Sequence, residues 1–394
     1  MLDRPPGNDS HSRRHAHSLQ PGEVHHHHHP QWSRAAVKRR QGKLSIISLI
    51  IVSLITLLLI FLELNSKSKT KAEYYNEKTA AAELTRKAFE TIRAAVDSLH
   101  IVIDNINDPN ETGLIGIQYS PITTERGDLT AKLTATNPNF AAMIIELLKT
   151  AGLKKGDTAA VALSGSLPAL NIAALCALQT LGVEPIIVTS AGSAMWGANY
   201  PEFTYLDMEA LLHKKGIIKY RTRAATLGGK DDIGRGLSPE GREYLTTAIQ
   251  RNDIKFLEAD NLENALTKRM EFYGRYKNIK LFINIDEYPT PLMGKDAPNG
   301  FIAPHRIKNG TGVIPQFSNK GIPVVNLVNI NRLAEKYRLP IAPIPMPDIG
   351  EGRLYYEYRY SVNQAVVSLV ILLIILFILL RYDIEYYIAR RKNG

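Results

Sequence analysis

Thr158 to Thr189 reads TAAVALSGSLPALNIAALCALQTLGVEPIIVT. Thr158 to Leu163 is a short apolar run, which fits a buried strand. Ser164-Gly165-Ser166-Leu167-Pro168 is a tight turn. Ala169 to Leu181 is a helix of small and apolar residues ended by Gly182, and Glu184 to Thr189 is a second strand. Strand, turn, helix and strand in this order predict a βαβ unit with parallel strands.

The same alternation continues outward. Helices are predicted over Phe140 to Ala151, Leu206 to Lys214, Ser238 to Arg251 (with Ser-Pro-Glu at its start), Leu262 to Tyr276 and Asn331 to Tyr337. Lys280 to Ile285 (KLFINI) and Val324 to Val328 (VVNLV) are further buried strands. The expected fold class is α/β, a largely parallel sheet with helices on both faces. Residues 108 to 140 are rich in Thr, Gly, Pro and Asn without clear period, and a loop of that length is usually functional or tightly packed.

The α/β region is flanked by two apolar segments. Residues 44–62 (LSIISLIIVSLITLLLIFL) and 362–380 (VNQAVVSLVILLIILFILL) each hold 19 uncharged residues. Each matches a hydrocarbon core of about 30 Å, so transmembrane helices are expected at both ends. The first starts too far from the N-terminus, and is too long, for a signal peptide. Between it and the α/β region, residues 63–107 read as a long juxtamembrane helix. Leu84, Ala88, Ile92, Ala95, Val96 and Leu99 recur there at helical spacing.

The chain has 394 residues, with 48 Lys or Arg against 38 Asp or Glu, a formal net charge of +10. Residues 1–43 carry +5 and residues 381–394 carry +2, leaving +3 for everything between. The excess is therefore a topology signal. Lys38, Arg39, Arg40 and Lys43 precede the first apolar segment, and Arg381, Arg390, Arg391 and Lys392 follow the second. This bias predicts a two-pass membrane protein with both basic tails in the cytoplasm, the first of them disordered. Residues 108–361 would then form an extracytoplasmic domain. The single cysteine, Cys176, excludes a disulfide framework within one chain and any Cys-cluster metal site. The run His25–His29 resembles a tag and is given no role. There is no P-loop, kinase motif set or H-E-x-x-H, and no aromatic–basic stripe for nucleic acid.

Loops that follow strands carry the candidate site. Ser164, Gly165 and Ser166 stand where backbone N–H groups and a helix start make an anion pocket, although a capped helix is the commoner reading. Ser193, Trp196 and Asn199 follow the next strand, and Trp196 either stacks on a ligand or plugs the loop onto the core. Gly228 and Gly229 open a third loop containing Asp231 and Asp232. Asp286 and Glu287 follow KLFINI. No catalytic set, metal site or cofactor is assigned. If the protein is an enzyme, Ser164, Ser166, Asp231, Asp232, Asp286 and Glu287 are its candidates.

Several segments together resemble the poly-gamma-glutamate system proteins. They are Asp108-Pro109-Asn110 with Thr112 to Gly116, Ser120 to Thr124, Thr136 to Ala142, Ser164-Gly165-Ser166, Trp196 to Phe203 and Gly228-Gly229. Asp286-Glu287 stand where that family tends to carry a Gly pair. The resemblance implies a bacterial cell-envelope membrane protein of poly-γ-glutamate capsule synthesis or export. It also implies as partners the polymer or the proteins that make and export it. Three roles stay open: a domain that binds the polymer, a glutamyl end or a partner subunit; a hydrolase or transferase that trims or releases the polymer; or a structural scaffold. Homo-oligomerisation stays open as well.

Overall fold

The structure, a computed structural model, describes residues 46–381. The first basic tail, His25–His29, residues 44–45 of the first apolar segment and residues 382–394 lie outside the described residues. In chain order the elements are α1 (Ile46–Asn65), β1 (Ser68–Lys71), α2 (Tyr75–Ser98), α3 (Leu129–Ala135), α4 (Phe140–Thr150), β2 (Thr158–Ser164), α5 (Pro168–Leu181) and β3 (Glu184–Ser190). Next come β4 (Asn199–Tyr200), β5 (Phe203–Thr204), α6 (Tyr205–Lys214), β6 (Ala224–Thr226), α7 (Pro239–Arg251), β7 (Lys255–Phe256), α8 (Leu262–Gly274) and β8 (Ile279–Ile285). The last are β9 (Gly300–Ile302), α9 (Val313–Asn319), β10 (Val324–Leu327), α10 (Ile330–Tyr337), β11 (Tyr356–Arg359) and α11 (Val362–Arg381).

The apolar run at β2 is buried on both faces, as a central parallel strand must be. Ala159, Val161 and Leu163 join one core with α2, α4, α5 and α10, while Ala160 and Ala162 join a second with α8 and α9. Phe282 of β8 stacks on Phe317 of α9 at 4.5 Å between centroids, and Tyr273 of α8 meets both edge-on. Each such pair contributes about 0.5–1.5 kcal/mol beyond its buried area. The seven-stranded sheet has the order β7-β6-β3-β2-β8-β10-β9 and is parallel except for the β9–β10 pair. The α/β expectation therefore holds, with helices on both faces of the sheet.

The expected continuous helix over 63–107 does not form. A strand interrupts it: β1 pairs antiparallel with β11, from Ser68 opposite Arg359 to Lys71 opposite Tyr356. Lys69 lies over the ring of Tyr356 at 3.9 Å and Lys71 over Tyr75 at 4.2 Å, so the lysines have aromatic partners that a helix would deny them. α2 then starts after Tyr74, which is left-handed at φ 59°. It ends eight residues before Ile106 because His100 turns left-handed at φ 56°. The His100 N–H donates to Asp97 O and the Ile101 N–H to Val96 O, a Schellman closure with histidine in the usual glycine place. Nor is α2 a spacer: Ala81, Ala88 and Ile92 are buried in the main core, so the body starts before residue 108.

The described residues divide into a body, 60–366, and a second unit made of the outer parts of α1 and α11. Each of these two helices has 20 residues and no buried side chain. By length and composition each is able to cross a membrane.

Candidate functional site at the carboxyl ends of the sheet

After β2 the chain adds β3, β6 and β7 on one side, and β8 returns to pair with the other side of β2. The strand order reverses there. In open α/β sheets such a reversal leaves a crevice outside the carboxyl ends of the strands. The register puts three hydroxyl residues in a row at those ends. Ser164 of β2 is opposite Ser190 of β3, which is opposite Thr226 of β6. Asp286 follows the last residue of β8.

A cleft of about 570 Å³ opens there. Ser164, Ser166, Ser190, Gly192, the loop Gly229–Asp232, Arg235 and Asp286 line it, together with Thr124, Glu125 and residues 288–293. All four sequence loops thus meet in one place, the second only through its first residues, Ser190 and Gly192, and the others through Ser164, Ser166, Gly229, Asp231, Asp232 and Asp286.

The turn after β2 does not offer the expected backbone donors. The Gly165 N–H donates to Ser190 O, the Ser166 N–H to Ser164 Oγ and the Leu167 N–H to Ser164 O. Pro168 has no N–H. The turn closes on itself and on β3, so hydroxyls rather than amides face the cleft. Gly165 permits that closure, since a Cβ there would sit 2.8 Å from the carbonyl oxygens of Ala191 and Gly192. Gly228 and Gly229 both take positive φ, 76° and 66°, to turn the third loop back over Ser190 and Thr124.

Ser193, Trp196 and Asn199 do not reach the cleft. Asn199 is fully buried and clamps Ile117: its Oδ1 accepts the Ile117 N–H and its Nδ2 donates to Ile117 O and Thr123 Oγ1. The Trp196 N–H donates to Ile117 O, and its own carbonyl accepts the Gly116 N–H. The indole Nε1 is buried without a hydrogen-bond partner. The buried Ser193 bridges to Thr123, and its hydroxyl donates to Ala194 O. This loop is a clamp for residues 116–124, and the clamp delivers Thr124 and Glu125 to the cleft.

Beneath the cleft lie two buried ion pairs. Arg269 of α8 donates through Nε and Nη2 to both oxygens of Asp232 at 2.7 and 2.9 Å. The same Nη2 reaches Ser190 Oγ and Thr226 Oγ1, and Asp232 Oδ1 also accepts both hydroxyls. Lys132 of α3 pairs with Glu287 and donates to Ser166 O at 2.6 Å, tying the end of β8 to the turn after β2. Glu287 also accepts the Asp128 N–H. Burial pushes the Lys132 ammonium below its ordinary range, and Glu287 opposes that shift.

Asp286 is different. Its carboxylate accepts only the Glu287 N–H, at 2.8 Å, and makes no ion pair, although the buried Lys132 draws its affinity for a proton down. Burial pushes it up to about 7, and Glu125 and Glu287 push the same way. Glu125 is itself raised, by desolvation and then by Glu287, and makes no ion pair or side-chain hydrogen bond. A carboxyl held near neutrality can accept or release a proton in a cleft. Neither the Ser164 nor the Ser166 hydroxyl bonds to a carboxylate or histidine; the Ser166 Oγ instead accepts the Ala194 N–H at 2.9 Å. Among the described residues no three His, Cys, Asp or Glu side chains are placed to hold a metal ion.

Sequence reasoning missed Glu125, Lys132, Arg269 and Tyr288. Lys132 and Arg269 lie on helices, with partners 155 and 37 residues away. Asp128, the N-cap of α3, was the local signal for Lys132. No family model matches this chain, and no curated protein or solved structure is similar to it.

Proposed function

We propose that this chain is a membrane-anchored component of poly-γ-glutamate synthesis or export whose α/β body binds a glutamyl ligand. Its two basic tails lie in the cytoplasm and its body outside. One observation carries the reading. Thr124, Ser164, Ser166 and Gly229, from three of the six segments that carry the family resemblance, line one cleft at the strand-order reversal although they are far apart in the chain. The cleft volume falls in the range of small-ligand sites, so it suits a few glutamyl units rather than a long polymer run. A binding role fits better than hydrolysis, because neither Ser164 nor Ser166 has a base in reach, and Asp232, the carboxylate beside Ser190, is held by Arg269.

The test uses the full chain in detergent micelles, with binding of short γ-glutamyl oligomers followed by calorimetry. Thr290 lines the cleft and is a member of neither buried pair, so Thr290→Trp fills the space without removing a partner from either. Wild type should bind, and the variant should lose at least about tenfold in affinity, or 1.4 kcal/mol. No binding by wild type, or equal binding by both, overturns the reading. Shortening of the oligomers during the measurement would turn the assignment to the hydrolase.

A further inference from the structure

The charges around the cleft divide into those that already have partners and those that do not. Asp232 is held by Arg269, Glu287 by Lys132, and Asp231 by Arg235 at 3.0 Å. Among the described lining residues this leaves Asp286 and Glu125 as carboxylates without a cation, and Lys230 as a cation without an anion. Asp286 and Glu125 come from two different segments and line the same cleft; Glu125 raises the affinity of Asp286 for a proton, Glu287 raises that of Glu125, and the buried Lys132 lowers both.

An internal unit of a γ-glutamyl chain offers an amide and one α-carboxylate, so its only charge is negative. Such a unit would add to the repulsion at Asp286 and Glu125. The amino end of the chain differs by one group. It carries an α-ammonium on the same carbon as its α-carboxylate. We infer that the cleft takes this zwitterionic amino end, with the ammonium against Asp286 and Glu125 and the α-carboxylate toward Lys230. The Ser164 hydroxyl accepts the Ser166 N–H and so keeps its own hydrogen to donate to the carboxylate. Opposite charges at separate points select by sign and position, and they penalise a ligand that lacks either one. The inference rests on the glutamyl reading of the cleft and narrows it to one end of the chain. A free α-amino acid presents the same pair of charges, so the test separates that source.

Three ligands are titrated into the full chain in micelles: a γ-glutamyl oligomer with a free amine, the same oligomer N-acetylated, and free glutamate. The free-amine oligomer should bind at least about tenfold more tightly than the acetylated one. Asp286→Asn should bring the two within about threefold, chiefly by weakening the free-amine ligand. Glu125 is on an exposed loop, so Glu125→Gln should narrow the same gap even if Asp286→Asn fails to fold. Equal binding of the two oligomers by wild type overturns the amino-end assignment and leaves the glutamyl reading standing. Binding of neither oligomer overturns both. Free glutamate binding as tightly as the free-amine oligomer overturns the chain end in favour of a free amino acid.

Discussion

The floor and the mouth of the cleft use the same residue types to opposite ends. On the floor every acid is matched. Asp232 shares two hydrogen bonds with Arg269, Glu287 is paired with Lys132, and all four side chains are buried. At the mouth Asp286, Glu125 and Lys230 have no ionic partner. The difference teaches how to separate scaffold from site. A buried charge already matched by an opposite charge holds strand ends together, whereas a charge left unmatched at a cleft is available to a ligand.

Removing a floor cation breaks the contrast most severely. Arg269→Met would leave Asp232 buried without its cation and should lower unfolding stability by about 3–5 kcal/mol, read from urea melts in detergent. A loss under about 1 kcal/mol would mean that the floor pair is not the anchor. Asp286→Asn sharpens the contrast with a smaller effect of opposite sign. Because Asp286 is raised to about 7, the native state holds a proton between about pH 4 and pH 7 that the unfolded chain has released. Stability from this group is therefore lost as pH rises through that window, and the cost is complete above it. The variant should be about 1–3 kcal/mol more stable at pH 8, with a flatter pH profile. Glu209, buried and also raised to about 7, keeps its own share of the slope. An unchanged profile would place Asp286 in an ordinary carboxylate environment. The smallest effect belongs to Lys230→Ala. Its side chain is exposed and unpaired, so stability should stay within about 0.5 kcal/mol while ligand binding weakens. A melt shifted by more would show that Lys230 supports the fold.

Much of the sheet was legible because its central strands are short apolar runs bounded by turn signals. β2, α5, β3, β8 and β10 fall within a residue or so of their sequence positions. β6 was not legible, since Ala-Ala-Thr is three residues long and alanine carries little strand preference. α9 was hidden by its internal Pro315, and α3 by a Thr-rich setting that read as loop. For the site, the rule that ligands gather at strand ends picked out Ser164, Ser166 and Asp286, while Gly229 came in through the family resemblance. The same rule could not say that the loop after β3 turns its side chains away. Asn199 and Trp196 are committed to the backbone of Gly116 and Ile117, some 80 residues earlier, and no local pattern announces such a partner.

The ribbon of β1 and β11 sets how the body bears load. The chain enters the body through β1 and leaves it through β11, and the two strands are antiparallel, with Ser68 and Arg359 at the open end. Tension that draws residues 65 and 362 apart would fall first on that terminal pair. It would then pass to Lys69–Tyr358, Thr70–Glu357 and Lys71–Tyr356 in turn. The ribbon would open like a zipper, one rung at a time, and would give way at low force before the sheet behind it is strained.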